Sequence, residues 1–134
     1  MDNCNFCLEN DRLRGEILAR NDLCYLADTA DPVLRHAGVI IPYRHVATPL
    51  ELDADEFLAT RDLMLKAVEL YDTFAPDGYN IGWNVGEAAG QSVFHVHLHV
   101  IARFADEPLA GKGVRYFYKQ ESNRRPHRGN ISRA

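Results

Sequence analysis

The run SVFHVHLHVIAR, residues 92–103, constrains this chain more than any other stretch, because His95, His97 and His99 alternate with Val96, Leu98 and Val100. In a β-strand, residues i, i+2 and i+4 share a face. The spacing therefore predicts a strand with Phe94, Val96, Leu98 and Val100 on a core-facing side and three imidazoles on the other. On a helix the same imidazoles would scatter over a wide arc, and the β-branched content would be out of place. Three imidazoles in register suit two chemistries. A His-x-His pair can bind a metal ion, or one neutral ring can attack phosphorus while its neighbours hold the phosphate oxygens.

The segment just upstream favours phosphoryl chemistry. In GEAAGQS, Gly86, Gly90 and the small residues between them would let backbone N–H groups approach anionic oxygens, and Gln91 and Ser92 add side-chain donors beside the histidines. Elsewhere the pattern predicts an α+β domain. EILARNDLCYLAD (16–28) reads as a hairpin turning at Asn21-Asp22, and AGVIIP (37–42) as a strand stopped by Pro42, leaving His45 just beyond its end. Residues 53–74 read as a long helix capped by Asp53 with Glu56 three residues on. Its expected core stripe is Phe57, Met64, Val68 and Tyr71, with Leu58, Leu65 and Phe74 beside it. The outer side carries Asp62, Lys66, Glu69 and Thr73, with Asp62 and Lys66 at ion-pairing spacing. YNIGWNVG (79–86) reads as a further strand. The expected architecture is an antiparallel sheet of about five strands with one long helix packed on one face.

A chain of 134 residues suits one domain, expected over 1–118, followed by a basic tail over 119–134 with Lys119, Arg124, Arg125, Arg128 and Arg133 against Glu121. The net charge of -4 gives no basic field for nucleic acid, and no apolar stretch approaches the roughly 20 residues of a membrane span. The polar N-terminus MDNCNFCLEN lacks a secretion signal, so the cytoplasm is the expected compartment. Three cysteines are an odd count for a disulfide framework; Cys4 and Cys7 have metal-gripping spacing, and Cys24 reads as a small core residue.

With these residues in view, NVGEAAGQSVFHVHLHVIARF closely resembles the signature of the histidine triad hydrolases and nucleotidyl transferases, and the likeness extends over about residues 4–104. CNFC, CYLAD and HAGVIIPYRH resemble the upstream parts of bacterial members. The resemblance implies a nucleophile at His97, a phosphate contact at His99, and contacts to the bridging oxygen and leaving group from Gln91 and Ser92. It further implies Asn84 and Gly90 at the phosphate, Asp28 on the ribose hydroxyls, and Phe6, Leu8 and Leu26 as candidates for an apolar wall against the base. Cys4, Cys7, His45 and His95 match the ligands of a structural zinc; two thiolates and two imidazoles would close a tetrahedral site. The chain departs from the family pattern at Arg35-His36, which puts the turn before the AGVIIP strand in doubt, and at Ala102, which would loosen the end of the triad strand.

The expected activity is double displacement on a dinucleoside polyphosphate or nucleoside phosphoramidate. His97 attacks the α-phosphorus, Ser92 and a cationic His99 assist the leaving group, and water releases the nucleotide, with no catalytic metal or organic cofactor. The partners expected are a purine nucleotide or dinucleotide and a second copy of the chain in a homodimer. The alternatives are a nucleotide- or zinc-binding interaction module without turnover, and a zinc hydrolase using the triad as ligands.

Overall fold

The computed structural model describes residues 3–127 and 129–131; Met1, Asp2, Arg128 and residues 132–134 lie outside them, and with these go the tail cations Arg128 and Arg133. Five strands, β1 (Ile17–Arg20), β2 (Cys24–Asp28), β3 (Ala37–Pro42), β4 (Gly78–Gly82) and β5 (Leu98–Arg103), form one sheet. Its order is β1-β2-β3-β5-β4, and every neighbouring pair is antiparallel. The β1–β2 turn forms where the Asn-Asp signal lies. Asn21 Oδ1 accepts from the N–H groups of Leu23 and Cys24, and its Nδ2 donates to the Ala59 carbonyl on the long helix at 2.9 Å.

That helix, α1 (Ala54–Tyr71), begins in a capping box in which Asp53 accepts from the Glu56 N–H and Glu56 from the Asp53 N–H. A 3₁₀ turn, Asp72–Phe74, completes the expected 53–74 span. The face it buries differs from the expected stripe. Glu56, Thr60, Leu63, Ala67 and Tyr71 are the buried line, whereas Phe57 is 50 % exposed and Leu58, Leu65 and Phe74 are also open to solvent. Of the expected stripe, Tyr71 is buried and Met64 packs against the core, but the buried line is turned towards Glu56, Thr60, Leu63 and Ala67, because small Thr60 and Ala67 let the helix lie close to the sheet and Arg44 neutralises the buried Glu56. Lys66 turns to Glu69 at 3.5 Å rather than to Asp62.

Alternation along the strands splits the core in two. Cys24, Leu26, Ile40, Leu98, Val100 and Ala102 pack under α1. On the reverse, Tyr25, Ala27, Val39 and Ile41 are covered by Phe6, Leu8, Leu13 and Ile17. The N-terminal segment thus covers a face expected to carry no second layer. Central β3 is buried at all six positions, which its unbroken apolar sequence foreshadows.

The triad strand is shorter than expected. β5 starts at Leu98, so His95 and His97 precede it, and Phe94 is half-exposed instead of facing the core. Residues 91–96 run beside the loop after β3, where Val96 donates to the Val46 carbonyl at 2.7 Å. β4 likewise ends at Gly82. The departure at Ala102 does not loosen β5: Ala102 pairs with Tyr79 and donates to the His36 carbonyl, while the His36 ring stacks on Phe74 at 4.0 Å. After β5 come a short helix, α2 (Val114–Tyr118), and a 3₁₀ turn, Glu121–Asn123. The described residues from 119 onward are all exposed, and Arg124 pairs with Glu121. Among the described residues no helix is long and apolar enough to cross a membrane.

Candidate functional site

The three histidines divide between two places. His95, wholly buried, turns its Nδ1 towards Cys4 Sγ (3.4 Å), Cys7 Sγ (3.5 Å) and His45 Nδ1 (3.1 Å), and Cys7 Sγ lies 3.3 Å from His45 Nδ1. Its Nε2–H donates to the Pro42 carbonyl at 2.7 Å. A carbonyl can only accept, so the bond fixes the tautomer and leaves Nδ1 free as a ligand. All four donor atoms lie within 4.8 Å of one another. A tetrahedral ion with N at about 2.05 Å and S at about 2.3 Å would separate its ligand atoms by roughly 3.4–3.8 Å. The contacts of 3.1–3.5 Å already lie close to those separations, and the widest pair of the cluster would have to close by about 1 Å around such an ion. Without a cation, burial and then the neighbouring Cys4 thiol push Cys7 up to about 11; a bound metal ion would reverse that balance and hold it as thiolate. Cys24 stands apart, buried beside Thr60 under α1.

His97 and His99 face a cleft of about 460 Å³ on the sheet face opposite α1. His97 is 8 % exposed, and its Nδ1–H donates to the His95 carbonyl at 2.8 Å. Nε2 is thereby left unprotonated with its lone pair free. The His97 ring lies edge-on to Phe6 and to His99, each at 4.9 Å between centroids. Burial pushes both imidazoles down; for His97 the bond to the His95 carbonyl partly opposes this, and for His99 the charge of His97 adds to it.

The register explains the rest of the floor. His99 sits directly opposite Val39, Val39 opposite Ala27, and Ala27 opposite Ile17, so one row of side chains crosses four strands. Phe6, Leu13, Val39 and Val93 supply apolar lining, and Asn5, Ser92, Asp28 and Thr29 supply polar groups. Of the residues expected here, Phe6, Asp28, Ser92, His97 and His99 come together. Leu26 does not, because it faces α1 on the reverse of the sheet, and Leu8 packs beside Tyr25 without lining the cleft.

Gln91 is 3 % exposed and lines no part of the cleft. Its Oε1 accepts from the Gly86 N–H (2.9 Å), and its Nε2 donates to the carbonyls of Ala47 (2.6 Å) and Val93 (3.1 Å). It ties the glycine loop to the loop after β3. The expected N–H cradle is also closed on itself: Ala89 and Gln91 donate to the Gly86 carbonyl and Gly90 to that of Glu87. Gly90, at φ 93°, makes this turn possible, with the Asn84 amide beside it and outside the cleft lining.

Sequence reasoning passed over Arg12, Leu13, Arg14 and Gly15, which line the cleft from the N-terminal segment. No chemical motif marks them. A Cβ on Gly15 would come 1.6 Å from the Asp28 carbonyl oxygen, so the chain there must be glycine to lie against the end of β2.

Comparison with known proteins agrees with this arrangement. Residues 11–106 match the model of the HIT domain. A HIT-like protein of Mycoplasma pneumoniae is 30 % identical over 91 % of this chain and 83 % of its own. The AP-4-A phosphorylase of Mycobacterium tuberculosis is 28 % identical over 69 % of this chain and 49 % of its own length, so the chain spans about half of that enzyme. The crystal structure of a HIT family protein from Bacillus anthracis superposes with a TM-score of 0.72 at 25 % identity, covering 91 % of this chain and 89 % of that one. By its domain match, its sheet topology and its paired cleft histidines, the chain belongs to the HIT, or histidine triad, family.

Proposed function

We propose that this protein is a nucleotide phosphohydrolase or nucleotidyl transferase that cleaves at the α-phosphate of a dinucleoside polyphosphate or nucleoside phosphoramidate. The observation that carries the reading is the Nδ1–H bond from His97 to the His95 carbonyl, which presents an unprotonated Nε2 to a cleft also lined by Ser92 and His99. Nε2 attacks the α-phosphorus and forms a P–N bond as the bond from phosphorus to the leaving group breaks. The leaving group takes a proton through the Ser92 hydroxyl or a ring N–H of His99. Water then attacks phosphorus, the P–N bond breaks, its electrons return to Nε2, and the nucleotide monophosphate leaves. His99 enters as a hydrogen-bond donor that gains positive character only as phosphate charge arrives. Asp28 receives the ribose hydroxyls, and Phe6, Leu13 and Val39 form the wall for the base.

In the same reading Cys4, Cys7, His45 and His95 hold a structural zinc ion, supported by two thiols and two oriented imidazoles converging with no place left for water. The chemistry itself uses no catalytic metal or organic cofactor. The partner is a second copy of the chain. Edge strand β4, with Ile81 half-exposed, and the open apolar side of α1 at Phe57 and Leu65 support a homodimer, which sedimentation equilibrium would register as twice the chain mass.

Rapid acid-free quenching of the protein with diadenosine tetraphosphate or adenosine phosphoramidate, followed by peptide mass spectrometry, tests the catalytic reading. It should find an adenylyl group on His97. Tight nucleotide binding with no turnover and no adduct would instead favour a binding module.

A further inference from the structure

Arg12 and Arg14 line the same cleft as His97 and His99, and neither guanidinium has an ion-pair partner among the described residues. Arg44, Arg103 and Arg124, by contrast, are each held by a glutamate. Among the described residues the only carboxylate lining the cleft is Asp28, so the two arginines leave its fixed charge positive.

These cations are not on a loose strand end. The segment that carries them is fastened on one side by Tyr25, whose hydroxyl donates to the Phe6 carbonyl at 2.7 Å. On the other, Gly15 packs against the Asp28 carbonyl, and the Asp28 N–H donates to Glu16 at 2.9 Å. Leu13, between the two arginines, packs against the buried cluster of Tyr25, Ala27, Val39 and Ile41. Arg14 lies three residues before Ile17, and from Ile17 through Ala27 and Val39 to His99 is three strand spacings, roughly 14 Å. The chain that carries the arginines therefore enters the cleft from its β1 side, across the floor from His99.

We propose that Arg12 and Arg14 form an anion subsite for a second phosphate of the substrate, one that is not attacked. This inference rests on the nucleotide reading of the cleft. A guanidinium presents paired N–H donors that match phosphate oxygens, and two of them against the one carboxylate of Asp28 make a receptor for a dianionic group. That phosphate can sit further along a polyphosphate chain folded back over the cleft, or on the ribose beside Asp28.

Calorimetric titration of the full chain and of its R12Q/R14Q variant with adenosine 5′-monophosphate, adenosine 5′-tetraphosphate and adenosine 3′,5′-bisphosphate tests the proposal. In the unsubstituted protein, at least one of the latter two should bind about tenfold tighter than the monophosphate, and the variant should lose that gain while keeping its thermal midpoint. A gain with the tetraphosphate alone assigns the subsite to a polyphosphate chain; a gain with the bisphosphate alone assigns it to a ribose phosphate. No gain in the unsubstituted protein, or a gain that persists in R12Q/R14Q, overturns the subsite while leaving the nucleotide reading intact. Failure of all three nucleotides to bind overturns that reading and the subsite with it.

Discussion

His95 and Pro42 are joined by a 2.7 Å bond from an imidazole Nε2–H to the last carbonyl of β3, and this contact aims His95 away from its two triad neighbours. The ring's other nitrogen then meets two sulfurs and His45, so a residue that belongs by spacing to the cleft histidines belongs by orientation to the cluster of Cys4, Cys7 and His45.

On the proposed zinc reading, replacing Cys7 with serine removes a buried soft ligand and should lower the thermal midpoint by roughly 5–10 °C and the metal content with it. Elemental analysis of the purified protein and a cobalt-substituted absorption spectrum would check it. A thiolate charge-transfer band should be present in the unsubstituted protein and weakened in the variant. Equal midpoints and equal metal content would remove the ligand role.

Substituting His97 with alanine should cut turnover of an adenylated substrate by roughly a thousandfold or more, because it removes the cleft imidazole whose Nδ1–H is held by a backbone carbonyl and whose Nε2 is left to attack. The decisive measurement is the single-turnover rate, with circular dichroism to verify the fold. A variant that keeps wild-type turnover would sink the nucleophile assignment.

Glu56 is 4 % exposed, and the Arg44 guanidinium, bonded to both of its oxygens, holds its carboxyl below the ordinary value of about 4.5. A folded pKa below the unfolded one contributes stability that is complete above the unfolded value and is lost as pH falls through it towards the folded value. Chemical denaturation should therefore show a loss of stability on acidification below about pH 5 that Glu56→Gln diminishes. At pH 7 this variant, which keeps a capping-box partner for Asp53, should be less stable by about 1–2 kcal/mol, a modest figure because half of Arg44 is exposed. An unchanged acid limb would show that the pair does not control it.

Gly15→Ala would push a methyl group onto the Asp28 carbonyl, backbone against backbone, where no side chain can turn aside. A loss of about 2–3 kcal/mol is expected, with weaker nucleotide binding as the end of β2 moves. Urea unfolding and a titration with adenosine 5′-monophosphate measure the two effects; full stability would mean that the segment relaxes freely.

Much of this architecture is legible in the sequence, where local signals coincide with the final packing. Asn21-Asp22 makes the hairpin because its side chain satisfies its own turn, and Asp53 with Glu56 starts the helix by the box their spacing allows. What escaped depends on neighbours distant in sequence. The phase of α1 was hidden because hydropathy ranks Phe57 above Glu56, yet Arg44, twelve residues earlier, makes the glutamate the residue that can be buried. Leu26 looked like pocket wall beside Asp28, and strand alternation turned it to the other layer. Gln91 and the glycine loop carried the right residue types for a phosphate cradle, but their hydrogen bonds close within the loop and onto Ala47. The arginines of the N-terminal segment reach the cleft only because that segment folds back across the sheet, which no periodicity announces.

Phe6 stands between Cys4 and Cys7 in the chain and meets the edge of the His97 ring. The Cys4, Cys7, His45 and His95 cluster and the imidazole proposed as nucleophile therefore share a lever one side chain long. On the proposed reading, withdrawing a metal from this cluster would free the two cysteines, release Phe6, and blunt turnover without any ion having touched phosphorus. Inhibition by chelators would then report a loosened brace and not a lost Lewis acid.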